Sequence, residues 1–222
     1  MSGLLERARG ASTAEADAAR RRWEAAMLGG IERLRRELEG ADPLEIARRV
    51  GGTWEEGRVR LAFWGRSVSV LWESVVPVDE QGAPLETFEA AMLLHHLRRS
   101  DGSPLAGRWI SFGDLPDGAF YQQAYRGYTG ARLSAAFGAD PRRFDAACLA
   151  AGGARQSGPA PHTWAFTPLP RVAVAACLWP GDDELPAQAS VVFDANAAHH
   201  LPTDALALLG AGLTGRLLRA AP

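Results

Sequence analysis

The sequence predicts an α+β fold in which an antiparallel sheet, built from a hairpin and a C-terminal meander, is flanked by helices. Three observations carry this. Apolar residues alternate with period two at Val59, Leu61 and Phe63, turn at Gly65-Arg66 and resume at Val68, Val70 and Trp72, which is hairpin patterning. Strand-like runs at residues 162–167, 172–179 and 189–194 follow one another with only short Pro- or Gly-bounded turns between them. Helical periodicity lies outside these two clusters and does not alternate with single strands, which argues against a doubly wound parallel sheet.

Each element has its own warrant. Residues 1–20 hold only Leu4 and Leu5 as large apolar groups, too little to offset the ~1–2 kcal/mol per residue that ordering costs, so a mobile start is expected. Met27, Ile31, Leu34 and Leu38 then recur on one stripe, with Arg33, Arg35, Arg36, Glu37 and Glu39 on the other faces, and Gly40 ends this amphipathic helix. Asp42-Pro43 reads as N-cap plus first-turn proline of a short helix to Val50, closed by Gly51-Gly52. Over residues 85–99 a mostly buried helix is expected, with Phe88, Met92, His95 and Arg99 on one face and Leu93, Leu94 and Leu97 on another.

Residues 101–114 carry turn chemistry around a short apolar run at 109–112, after which Asp117 is positioned to cap one helix running to Phe137. Asp140-Pro141 starts a further helix, residues 152–161 form a Gly/Pro loop, and Thr203 is expected to cap a last helix whose Leu206, Leu209, Leu213 and Leu217 face inward. The domain expectation is a mobile segment and amphipathic helix over residues 1–40, then a single globular domain over 41–222.

Composition removes several chemistries. The 222 residues are 47% hydrophobic and 23% charged, a globular balance. All 24 basic residues are arginine. Without lysine there is no Schiff-base nucleophile, no P-loop lysine and no kinase-type lysine. A formal charge of −2, with arginines interleaved among acids, gives no field for a polyanion, so nucleic acid is not an expected partner. No apolar run reaches the ~18 residues of a membrane span and no signal-peptide stretch is visible, so no membrane role is expected. Cys148 and Cys177 sit among apolar neighbours as buried thiols do, and the chain reads as a protein of the reducing cytoplasm.

The candidate site centres on the tyrosines. Tyr121, Tyr125, Tyr128 and Arg132 fall within about 60° of one another on a helix, a stripe that forms a half-buried packing face with wet hydroxyls or else lines a polar-aromatic pocket for a small planar or anionic ligand. Gly127 and Gly130 lie opposite, where they would admit a neighbouring element or break the helix. His95 is read as a core or ligand-facing imidazole. Asp194 with His199-His200 has no metal-ligand spacing and reads as a solvated loop, and Gly181-Asp182-Asp183-Glu184 reads as a solvated turn, so no metal site is expected. No nucleophile elbow and no dinucleotide fingerprint is present.

The passage from Leu93 to Gly138, with its L-H-x-L and G-x-W-I-S-F-x-x-L-P-x-G block, and the later L-W-x-G-D-x-E-x-P-A and F-D block resemble the bacterial and archaeal domain-of-unknown-function family 3786, over about residues 40–219. That resemblance implies no established activity. It implies, through relatives with an appended four-iron–four-sulfur domain, an anaerobic corrinoid or one-carbon setting, from which this chain departs by having no cysteine-rich segment. The positions it carries over as ligand-binding candidates are His95, Trp109, Phe112, Tyr121, Asp182, Glu184 and Asp194.

Three functions follow as expectations. The first is a binding or accessory domain that holds a small or tetrapyrrole-like ligand, its cofactor identity unknown, between the Tyr121 helix and the strands near Trp179. The second is a metal-independent enzyme with His95 as general base and Asp182 or Asp194 orienting it. The third is an interaction protein forming a homodimer through the arginine-rich first helix.

Overall fold

A computed structural model describes residues 28–182 and 184–221; the expectation for residues 1–20, Met27 of the first stripe and Asp183 of the acidic turn lie outside them. The chain is α+β, with helices packed around two antiparallel sheets. Helix α1 (residues 28–38) buries Ile31, Leu34 and Leu38 and leaves its arginine faces outward, as the stripe requires. Helix α2 (Pro43–Val50) starts where Asp42 accepts the backbone N–H of Leu44 and ends at Gly51.

The first sheet is a four-stranded meander of β1 (Thr53–Glu55), β2 (Arg58–Phe63), β3 (Arg66–Leu71) and β4 (Val76–Val78), with Val59 opposite Val70 and Leu61 opposite Val68 in the hairpin. Helix α3 (Thr87–Arg99) follows. The second sheet has the order β5-β9-β8-β7-β6, from β5 (Trp109–Ile110), β6 (Ala154–Arg155), β7 (His162–Leu169), β8 (Val172–Trp179) and β9 (Gln188–Asp194).

The predicted hairpin and meander therefore occupy two sheets and do not share one. They meet where the Trp64 N–H donates to the Pro168 carbonyl at 2.8 Å. Pro168 and Pro170 have no N–H to extend a ladder, and the register of β7 against β8 shifts between Phe166 and Leu169, so neither sheet can continue through this corner.

The helix expected from Asp117 to Phe137 is broken. A one-turn 3-10 helix (Gly118–Tyr121) leads into α4 (Gln122–Tyr128), and α5 (Gly130–Phe137) follows a kink at Thr129, whose backbone adopts φ −117 and ψ −89. The Thr129 hydroxyl donates to the Tyr125 carbonyl at 2.5 Å, competing with the helical ladder at that point. Gly130 makes the break useful: a Cβ there would sit 2.2 Å from the Ala189 carbonyl oxygen, so only glycine lets α5 seat directly on the β9 backbone. Gly127 meets nothing within 4 Å and plays no such part.

Asp117 does not cap. It sits at φ 59 with its side chain making no cap hydrogen bond, because the turn is shaped by Gly118, whose added Cβ would lie 1.9 Å from the Phe112 carbonyl oxygen. Asp140 does cap α6 (Pro141–Ala150), accepting from the N–H groups of Arg142 and Arg143. Thr203 is likewise no cap of α7 (Thr203–Ala220), since its hydroxyl donates instead to the Pro116 carbonyl at 2.7 Å, tying α7 to the 116 loop.

A continuous core joins α1, α2 and α3 to the inner faces of both sheets and to α4 through α7. The other face of the second sheet buries a small cluster of Ala160, Ala175, Cys177 and Val192, against which Trp109 and Trp179 pack. Burial pushes both thiols up, Cys177 to about 11 and Cys148 further, so neither is a nucleophile at neutral pH. No described helix is long and apolar enough to cross a membrane.

Candidate functional site

Two cavities of about 760 and 630 Å³ adjoin and share Arg99, Pro116 and Pro202, so they form one groove. Its polar end lies between α1, the C-terminal half of α3 and residues 198–202, and carries Arg33, Glu37, His95, Arg98, Asp101 and His199. Its aromatic end lies between the 116 loop, α4 and the start of α7, and carries Phe112, Asp117, Tyr121, Tyr128 and Asp204. The Arg98 Nε donates to Glu37 at 2.8 Å, and Arg99 Nε donates to the Ala198 carbonyl at 2.7 Å, which fixes Arg99 on the ridge between the two ends.

His95 is half-buried at the polar end. Burial holds its imidazole below the ordinary range, Arg33 and Arg99 add to the effect, and Asp204 and Glu37 oppose it, so the ring is neutral near pH 7. His199 Nδ1 lies 2.6 Å from Asp101 Oδ2, and the hydrogen bond from His199, followed by those from Ser103, keeps the Asp101 carboxyl far below the usual carboxylate range.

The tyrosine stripe is only partly a wall. Tyr121 is 69% exposed and Tyr128 39% exposed, and both border the groove, whereas Tyr125 is 2% exposed and belongs to the core. Its ring stacks on Phe112 with centroids 4.2 Å apart and lies against Gly210 of α7. Burial raises its phenol far above the ordinary value. Phe112, 3% exposed, shows the groove one edge and the core the rest. Arg132 sits beyond the Thr129 kink on an exposed face of α5, because the break redirects the helix before the stripe can reach it.

The remaining candidates are dispersed. Trp109 packs on the outer face of the second sheet. Asp182 closes the β8–β9 turn, accepting the N–H groups of Leu185 and Glu184 at 2.7 and 3.0 Å, which lower its pKa in that order, and Glu184 is exposed beside it. Asp194, 3% exposed, accepts three backbone N–H groups, from Ala106, Gly107 and Asn196, each at 2.9 Å. It is an anchor for the 106–107 loop. Asp194→Asn is expected to cost about 1.5–3 kcal/mol in urea unfolding, since it replaces charge-assisted bonds and turns an NH₂ toward a donor.

Between the Tyr121 helix and the strand end near Trp179, the cavity measures only about 190 Å³ and is lined by Gln122, Arg126, Gln188 and Ser190, with Tyr125 at its base. Among the described residues no group of His, Cys, Asp and Glu is arranged to hold a metal ion.

Of the two histidines expected in a solvated loop, His199 is half exposed and His200 is not. His200 is fully buried, accepting or donating through Nδ1 to the Ser100 hydroxyl at 2.9 Å, with the His96 ring 5.8 Å away. His96, not His95, is the core histidine of α3: it is fully buried with Nε2 3.4 Å from the Val50 carbonyl. Sequence reasoning missed the His199–Asp101 pair, whose members are 98 positions apart with no local motif joining them. The signals toward the groove were His95 and Arg99 sharing a helical face and the Tyr121 and Tyr128 members of the tyrosine stripe.

A family model described as a domain of unknown function, DUF3786, matches residues 42–216. No curated protein and no solved structure matches the chain.

Proposed function

Because the chain belongs to the DUF3786 family, a domain of unknown function, we propose its function from the groove: it binds a small molecule that joins a planar part to an anionic part. The observation that supports this is the union of two cavities around Arg99, one presenting arginines and imidazoles and the other Tyr121, Tyr128 and the edge of Phe112. Concave sites with an apolar wall and a few convergent polar groups are where small ligands bind. Aromatic faces take the planar part, and a guanidinium takes the anion through charge-assisted bonds.

Neither Asp182 nor Asp194 borders the groove that holds His95, so the enzyme reading in that form has no support. Ile31, Leu34 and Leu38 of α1 are buried in the chain's own core, so among the described residues of that helix Leu28 and the polar faces are what remains for a homodimer. In the corrinoid or one-carbon setting that the resemblance implies, the ligand would be a tetrapyrrole-like cofactor, and the absorbance spectrum of freshly purified protein reads that directly.

The test is titration with 8-anilinonaphthalene-1-sulfonate, which joins a planar naphthalene to an anionic sulfonate, followed by fluorescence. One saturable site is expected. Arg99→Ala weakens it about tenfold or more, the scale of one charge-assisted bond. Tyr121→Ala weakens it several-fold and leaves the thermal midpoint unchanged, because the ring is largely exposed. Binding that is indifferent to both substitutions places the site elsewhere and overturns the proposal.

A further inference from the structure

We infer that His199 and Asp101 form a general-base pair, and that the groove hydrolyses a carboxylic ester joining a planar alcohol to an anionic acid. This rests on the groove being a small-molecule site.

Two carboxylate–imidazole pairs occur among the described residues, and they differ in what surrounds them. His162 Nδ1 meets Asp145 at 3.0 Å, but that carboxylate also accepts from Trp164 Nε1 at 2.7 Å and pairs with Arg155, and the pair borders neither part of the groove. It is a clamp between α6 and β7. His199 lies in the groove wall, half exposed.

The chemistry of the second pair follows from which nitrogen is engaged. Asp101 takes Nδ1–H of His199, which fixes the tautomer with a lone pair on Nε2 and stabilises the imidazolium once a proton arrives. The charged groups around it are Arg33 and Glu37 of α1, Arg98 and Arg99 of α3, and Asp204 of α7 beyond Arg99. His95, in the same wall, is a second neutral imidazole. Arg99 borders both cavities, so a molecule spanning them has its junction beside this guanidinium. A group that gains negative charge during reaction is best placed there.

An ester meets those requirements. Water adds to the carbonyl carbon as one of its protons passes to Nε2 of His199, and the carbonyl oxygen takes up negative charge beside Arg99. The carbonyl re-forms as the bond to the planar leaving oxygen breaks, and the proton on Nε2 passes to that oxygen. One acid and one hydroxyl compound leave, His199 is neutral again, and only water is consumed.

The probe is mono-4-nitrophenyl succinate, with its succinanilide analogue as the unreactive counterpart, on the full chain. Saturable release of 4-nitrophenol is expected, with kcat/KM at least about 100-fold above the second-order constant of free 4-methylimidazole. His199→Gln removes the enhancement, and Asp101→Asn lowers kcat tenfold or more while anilide affinity and the thermal midpoint are retained. If Asp101→Asn lowers the midpoint, the His199→Gln result decides, since that ring is half exposed.

A wild-type rate within a few-fold of free imidazole, with the anilide bound at the groove, overturns the general-base pair and leaves the binding site standing. Undiminished turnover in His199→Gln also overturns it. Failure of the anilide to bind at all overturns the binding site itself.

Discussion

Tyr125→Ala lowers the stability of the fold by about 3–5 kcal/mol in denaturant unfolding, the cost of emptying a large aromatic from a core that cannot collapse around the void. The side chain fills the space between Phe112, Phe193 and Gly210, and Gly210 has no side chain to move into it. Tyr125→Phe costs about 1 kcal/mol or less, because the only hydrogen bond lost is the 3.4 Å donation to the Val191 carbonyl. A Tyr125→Ala protein as stable as the wild type would show that the 4.2 Å stack on Phe112 does not exist in solution.

Acidification removes about 3 kcal/mol through His96. Burial is the main cause, and the neighbouring His200 the second, that hold this imidazole at about 4 against an ordinary 6.5. The unfolded chain therefore binds the proton more readily than the native one. The contribution is fully present above pH 6.5 and is lost as the pH falls from there to about 4, at about 1.4 kcal/mol per pH unit. His200, also lowered chiefly by burial, acts in the same direction. Urea midpoints across this range should fall steeply in the wild type and less steeply in His96→Gln. Parallel slopes would mean that the ring is solvated.

Local grammar carried much of the fold. Asp42-Pro43 and Asp140-Pro141 cap as their chemistry dictates, and the β2–β3 hairpin pairs in the register that its alternation requires. Where the reading failed, a distant partner decided. Thr203 has the composition of a cap but finds the Pro116 carbonyl. The stripe from Tyr121 to Arg132 has the right helical period, yet it crosses a break that exists because Gly130 must meet the Ala189 backbone.

The site was legible to a similar degree. Tyr121, Tyr128, Phe112 and His95 reach one groove, while Asp194 and Asp182 satisfy backbone donors and Tyr125 fills the core. Burial separates the two groups, and burial is a property of the packed chain. His199 and Asp101 come together only after 98 positions of chain have folded back, so no window of sequence contains them both.

The same separation has an entropic cost. The first sheet joins strands that are neighbours in the chain, and such ladders close with little loss of loop entropy. Strand β5 can join the second sheet only at β9, and the Ala106 N–H that Asp194 captures is 88 positions away. That closure spans a long stretch of chain and carries a correspondingly larger entropy cost than the ladders of the first sheet. The 101–116 stretch, which supplies Asp101 and Pro116 to the groove wall, is thus held by partners distant in sequence, and a chain with only the β2–β3 hairpin and the β7–β9 ladder formed has no groove.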